Sequence, residues 1–308
     1  MRRRNVLAAA SASFLSAPRL AAAQGAPGRR TLRFVPQADL ALLDPIHSVA
    51  FVTRNHSLMV YDTLYGWNSE LRARPQMAEG HTVENDGRVW NIRLREELRF
   101  HDGEPVRARD CAASVRRWGQ RDAFGQALMA ATDEVAAVDD RTLRFRLKKP
   151  FPLLPDSLAK VGTHLAAMMP ERHANLPSSE AVPEMIGSGP FRYVANERVP
   201  GSRNVYACNP DYAPRNEPPS YMSGGKVVYF DRVEWVTIPD AATASAALQR
   251  GEVDWWELPT IDLVPQLRRG RGPRSRRWIR TAPSAFSAST TCIRPWTTPW
   301  CAGRCCAG

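Results

Sequence analysis

No acidic residue follows Asp262, no histidine follows His173, and nowhere do about 20 apolar residues run together. The last absence excludes a permanent helical membrane anchor. The first decides how the formal charge of +11 is to be read. Such a charge ordinarily points to nucleic acid or a membrane surface. Here four arginines (Arg2, Arg3, Arg4, Arg19) stand in the acid-free first 23 residues, and nine more follow Asp262. Without those thirteen, the +11 of the chain becomes −2 for the stretch between the ends. A near-neutral middle excludes nucleic acid as the expected partner. Cysteine is scarce too, with only Cys111 and Cys208 before residue 291. Cys292, Cys301, Cys305 and Cys306 crowd the end at no zinc-site spacing, with no histidine to complete a set. The chain has no H-E-x-x-H, no P-loop and no G-x-G-x-x-G, and its six histidines are scattered singly. No catalytic residue, metal site or cofactor is expected.

The amino terminus, MRRRNVLAAASASFLSAPRLAAAQ, has a basic start, a short Ala-rich apolar stretch and Ala21-Ala22-Ala23 before Gln24. This is the layout of an export signal over residues 1–23. Arg3-Arg4-Asn5-Val6-Leu7 also fits the twin-arginine pattern, so the general and twin-arginine routes both stay open. The mature protein is expected in the periplasm, soluble and monomeric.

Alternation and turn chemistry predict the elements that follow. Residues 32–36 read as a strand. Val52, Leu58, Met59 and Leu64 recur at helical spacing. Asn85-Asp86-Gly87 turns a hairpin, because glycine tolerates positive φ, and beyond it Trp90, Ile92 and Leu94 alternate with polar residues. A second hairpin turns at Asp139-Asp140, with Leu143, Phe145 and Leu147 on one face. An Ala-rich helix ends at Gly251, between the extended stretches KVVYFDRVEWVTIPD and EVDWWELP. Strand, helix and strand in that space predict a parallel pair with a helical crossover.

The stretch FHDGEPVRARDCAASVRRW puts His101, Asp102, Glu104 and Cys111 within a dozen positions. Asp102-Gly103 is a turn pair and Pro105 presets the chain. From Arg109 the spacing is helical, with Cys111, Val115 and Trp118 on one face and Asp110 in the first turn, where an acid meets unpaired backbone N–H groups. Structural punctuation between strand and helix is therefore expected, with Cys111 as a small buried hydrophobe. Ser188 in IGSGPF lacks the G-x-S-x-G elbow and reads as a turn.

WNIRLREELRFHDGEPVRARDCAASVRRW, RTLRFRLKKPFPLL, IGSGPF, NPDY and IPDAATASAALQRGEVD, in this order, resemble the extracellular solute-binding proteins of peptide and nickel ABC importers. The resemblance covers about residues 31–267. Arg107 departs from it, standing where the family usually has a hydroxyl residue able to cap the helix, a loss of about 1 kcal/mol. It implies an α/β, two-lobed periplasmic-binding fold of class II with an inserted α+β subdomain. The first lobe would comprise residues 24–48 and 187–267, and the inserted subdomain residues 49–186. The second lobe would be largely missing, because residues 268–308 turn into an irregular basic tail. Their wealth of Arg, Pro, Trp and Cys is what a shifted reading frame produces from codons rich in G and C.

The function so implied is capture of a peptide or peptide-like solute and its delivery to a membrane permease. An exported hydrolase and an inactive fragment of a binding protein are the alternatives. In open α/β sheets ligands sit beyond the carboxyl ends of the strands. That rule selects Gln37, Ala38 and Asp39 after the first strand, where main chain could pair with an extended peptide. It also selects Trp255, Trp256 and Glu257. Adjacent strand residues point to opposite faces, so only one of the two tryptophans can serve a given site.

Overall fold

The computed structural model describes residues 30–269. The expected export signal at 1–23, nearly all of the expected basic tail and the four cysteines from Cys292 to Cys306 lie outside them. Two sheets carry the described chain. In the first, β1 (Thr31–Val35) lies between β10 (Arg232–Val236) and β11 (Trp255–Trp256), parallel to both. Phe34 stands opposite Trp235 on one side and Trp255 on the other. Beyond β10 the sheet continues antiparallel through β9 (Arg203–Cys208) to β8 (Phe191–Tyr193).

The expected strand–helix–strand unit forms, with one difference. α6 (Ala241–Arg250) starts at Asp240, whose carboxylate accepts the Thr243 N–H, and ends at Gly251 in the left-handed region at φ 75°. Only glycine adopts that conformation freely. The two strands it joins are not neighbours, however, because β1 is inserted between them. That partner arrives from some 200 residues earlier and leaves no local trace in the sequence. Of the long extended stretch before α6, only Arg232–Val236 is strand.

The second sheet is antiparallel, in the order β4 (Ala78–Glu84), β5 (Val89–Leu94), β7 (Thr142–Leu147), β6 (Thr132–Ala137). Both predicted hairpins are present, with Asn85 and Asp86 at φ 51° and Gly87 at φ 84°. Trp90 faces Phe145 and Ile92 faces Leu143 across the ladder, all buried. Over this face lie α2 (Ala108–Gly119), α3 (Ala123–Ala131) and α4 (Leu154–Ala159), with Cys111, Val115 and Trp118 turned inward as their spacing requires. A small ribbon, β2 (Tyr65–Trp67) with β3 (Ala73–Pro75), joins the same core. The short α5 (Glu171–Ala174) packs on α2, and α7 (Val264–Arg269) closes the described chain.

α1 (Phe51–Val60) follows β1 and packs against the first sheet: Val52 and Val60 share a core with Phe34, Tyr206 and Trp235. The helix stops before Leu64, which the apolar spacing had included. Tyr61 is extended, and the next residue, Asp62, is buried as the acceptor for Lys226 at 2.7 Å and Tyr212 at 3.0 Å. A distant segment thus decides where the helix ends. At the start of α2 the guanidinium of Arg107 cannot cap. Asp110, three residues on, instead accepts the N-cap N–H of Arg107 at 2.8 Å, an unpaired donor of its own helix start as expected, and the first N–H of α5 at 2.8 Å.

Candidate functional site

Parallel pairing of β1 with β11 brings their carboxyl ends side by side. Glu257 continues the ladder by one bond, its N–H donating to the Val35 carbonyl at 2.9 Å. Its carboxylate then folds across the strand ends. Oε2 accepts the Gln37 N–H at 3.0 Å, and Oε1 accepts Asn55 Nδ2 from α1 at 2.8 Å. Burial pushes the Glu257 carboxyl above its usual range, against the pull of these two donors and the Arg54 charge. Arg54 in turn donates to Asn55 Oδ1 at 2.8 Å and stands 4.7 Å over the Phe51 ring. Three elements meet at one carboxylate.

Of the residues expected at the site, Gln37 and Glu257 are therefore in direct contact. Asp39 reaches the end of β10, accepting from Thr237 Oγ1 at 3.4 Å, and Ala38 is exposed between them. Gln37 spends its N–H on Glu257, so that donor is already occupied within the chain. The two tryptophans separate as strand geometry demands. Trp256 packs with Val35, Ala244 and Ala247 on the α6 side of the sheet. Trp255 lies on the α1 side, its ring edge-on to Phe34 at 5.0 Å.

On that side a cavity of about 310 Å³ opens between the sheet, α1 and residues 219–230. Phe34, Trp235 and Trp255 form its sheet wall, and Leu58 and Met59 its helix wall. Asn55 lines it as well, so one side chain belongs to both the cavity and the strand-end junction. Sequence reading passed over Asn55. The available signal was its phase: it lies three and four residues before Leu58 and Met59, a polar residue on an apolar helical face.

The His101 cluster is structural. The His101 N–H donates to the Gly187 carbonyl at 2.8 Å, ring Nδ1 accepts the Gly187 N–H at 3.3 Å, and Nε2 donates to the Gly189 carbonyl at 3.1 Å. Burial pushes the imidazole down to about 4, so it is neutral at pH 7 with both nitrogens occupied. Asp102 pairs with Arg172 at 2.5 Å and accepts the Glu104 N–H at 3.1 Å, closing the turn. Cys111 is fully buried and its thiol is pushed up by that burial, which leaves it inert. Ser188 is buried with its hydroxyl toward Met77 Sδ at 3.9 Å. Among the described residues, no group of three His, Cys, Asp or Glu side chains is placed to hold a metal ion. None of their helices is long and apolar enough to cross a membrane.

Residues 72–289 match the family model described as "Bacterial extracellular solute-binding proteins, family 5 Middle". A protein of Sinorhizobium fredii named "Probable peptide ABC transporter periplasmic-binding protein" is 41% identical over 259 residues, 83% of this chain and 48% of the relative. A glutathione-binding protein of Pectobacterium atrosepticum is 24% identical over 69% of this chain and 39% of its own length. The chain thus spans half or less of the length of these curated relatives. Among solved structures, the periplasmic binding protein AgaA of Agrobacterium tumefaciens with agropinic acid superposes with a TM-score of 0.63 at 23% identity, over 79% of this chain and 46% of that one. The oligopeptide-binding protein AppA of Bacillus subtilis with a nonapeptide gives 0.63 at 20% identity, over 79% and 47%. These two likenesses establish the fold, a mixed α/β architecture of the class II periplasmic-binding type.

Proposed function

Because the chain belongs to the bacterial extracellular solute-binding proteins of family 5, we propose that it serves as the periplasmic capture component of an ABC importer, taking up a peptide or peptide-like solute and handing it to a membrane permease. The observation that carries this reading is the junction of Gln37, Asn55 and Glu257 at the carboxyl ends of two parallel strands, beside an apolar cavity. Main-chain groups and one half-buried carboxylate suit the amides of a peptide, and the cavity suits its side chains. In this reading residues 24–48 and 187–267 form one lobe, residues 49–186 its inserted subdomain, and the chain acts as a monomer without nucleic acid. Residues 1–23 direct export, by the general or the twin-arginine route.

Capture would proceed by closure of two lobes around the solute, with no bond made or broken. A hydrolase would need a nucleophile within reach of a base. Ser188 faces a methionine sulfur, and His101 spends both nitrogens on backbone. The test is isothermal titration of the chain with peptides of two to nine residues, run beside hydrolysis assays on chromogenic esters and peptides. Saturable peptide binding without turnover is expected. Turnover, or no binding of any peptide, would end this reading.

A further inference from the structure

The cavity beside the strand ends has a chemistry of its own. Its sheet wall is a continuous aromatic surface, with Phe34 5.4 Å from Trp235 and 5.0 Å from Trp255. Leu58 and Met59 face it from α1. Among the described residues, the one ammonium at its edge, Lys226, is committed to Asp62 at 2.7 Å, and no acidic residue lines the space. A charged side chain entering here would lose its water and meet no free opposite charge. The volume of about 310 Å³ stands at the bottom of the range of about 300–1,000 Å³ usual for small-molecule pockets. It suits one large side chain and not a run of residues.

The cavity also shares a residue with the strand-end junction. Asn55 lines it while donating to Glu257, and Trp255 lines it from the strand that Glu257 ends. A solute held at the junction by its main chain would therefore present a side chain to the cavity. We propose, resting on the solute-binding reading above, that this cavity is the specificity subsite of the protein. It accepts a single bulky, uncharged side chain, aromatic or branched aliphatic, of a peptide-like solute, and Phe34, Met59 and Trp255 determine that preference.

The test is a titration of the full chain with Ala-Phe-Ala, Ala-Leu-Ala, Ala-Ala-Ala and Ala-Glu-Ala. The first two are expected to bind at least about tenfold more tightly than Ala-Ala-Ala, as filling an apolar pocket requires, and Ala-Glu-Ala no better than Ala-Ala-Ala. Met59→Trp, which fills the cavity, is expected to remove the preference for Ala-Phe-Ala and Ala-Leu-Ala over Ala-Ala-Ala. A second measurement does not depend on that variant folding. N-acetyl-4-bromophenylalaninamide added to the unsubstituted chain is expected to quench tryptophan fluorescence saturably, with Ala-Phe-Ala competing. Equal affinity for all four peptides, or no saturable quenching, overturns the subsite while the solute-binding reading stands. No binding of any peptide sinks both.

Discussion

The two larger sheets of the described residues are assembled in opposite ways. The four-stranded sheet is made of hairpins, β4 with β5 and β6 with β7, joined by the β5–β7 ladder. Its turns are written in Asn85-Asp86-Gly87 and Asp139-Asp140, and its buried face in strict alternation. The five-stranded sheet joins residues 31–35 to partners near 232 and 255, pairings separated by about 200 positions. Local pairing is inexpensive in chain entropy, whereas distant pairing must first close a long loop. The candidate site sits on the second kind of sheet. The Glu257 carboxylate can lie across two strand ends because these parallel neighbours finish together.

What unites the two sheets is a set of buried polar ties. Arg117 on α2 reaches Asp44 at 3.0 Å, both side chains 1% exposed, and also holds the carbonyls of Leu176 and Glu180 at 2.6 Å. Arg117→Ala leaves a buried carboxylate without its cation and is expected to cost about 3–5 kcal/mol. One cooperative urea transition, moved to lower denaturant, is the expected outcome. Two separate transitions would break the comparison by making the sheets independent. Gly187 comes next. A Cβ there would lie 2.0 Å from the Val60 carbonyl oxygen at the end of α1, so Gly187→Ala is expected to cost at least about 1–3 kcal/mol in the same experiment. A neutral result would mean that the segment re-entering the first sheet is not pressed against α1.

Acid should separate two histidines from the rest, His56 packed on the first sheet and His101 at this seam. Burial holds His56 at about 3 and His101 at about 4, below the ordinary 6.5. In each case the unfolded chain binds the proton more readily. The stability they confer is therefore complete above pH 6.5 and is lost as pH falls from 6.5 toward 3. Thermal melts across pH 7 to 3 are expected to show that decline, and His101→Asn to flatten its upper part. A curve of unchanged shape in that variant would remove His101 from the seam.

The smallest effect belongs to the site. Burial raises the Glu257 carboxyl, so its contribution to stability is fully present below about pH 4.5 and lost as pH rises through the folded value. Glu257→Gln is expected to leave the melting temperature at pH 7 unchanged or slightly higher, and to lose that margin at pH 4. A marked loss at pH 7 would show that the carboxylate is needed to hold the β1 and β11 ends together.

Much of this was legible without coordinates, and the divide follows the two sheets. The hairpins, the inward face of α2 with Cys111 and Trp118, and the α6 caps at Asp240 and Gly251 were readable because each depends on residues within a few positions. The strand-end residues Gln37 and Glu257 were found from a general rule about parallel sheets, and they are in contact. Asn55 was not: its phase sets it on the apolar face of α1, but the carboxylate it reaches lies about 200 positions along the chain. The end of α1 before Leu64 and the insertion of β1 between β10 and β11 were hidden for the same reason.

By itself the sequence determined the periodicities: which residues alternate, which recur every three or four, and where glycine or asparagine turns the chain. It also carried the ordered motifs that mark the family. The tertiary structure alone decided which of two adjacent tryptophans lines a cavity and which carboxylate spans two strand ends. It also decided which backbone groups His101 holds, those of Gly187 and Gly189. Those outcomes depend on the position of a partner far along the chain, and pattern within a window of residues contains no such coordinate.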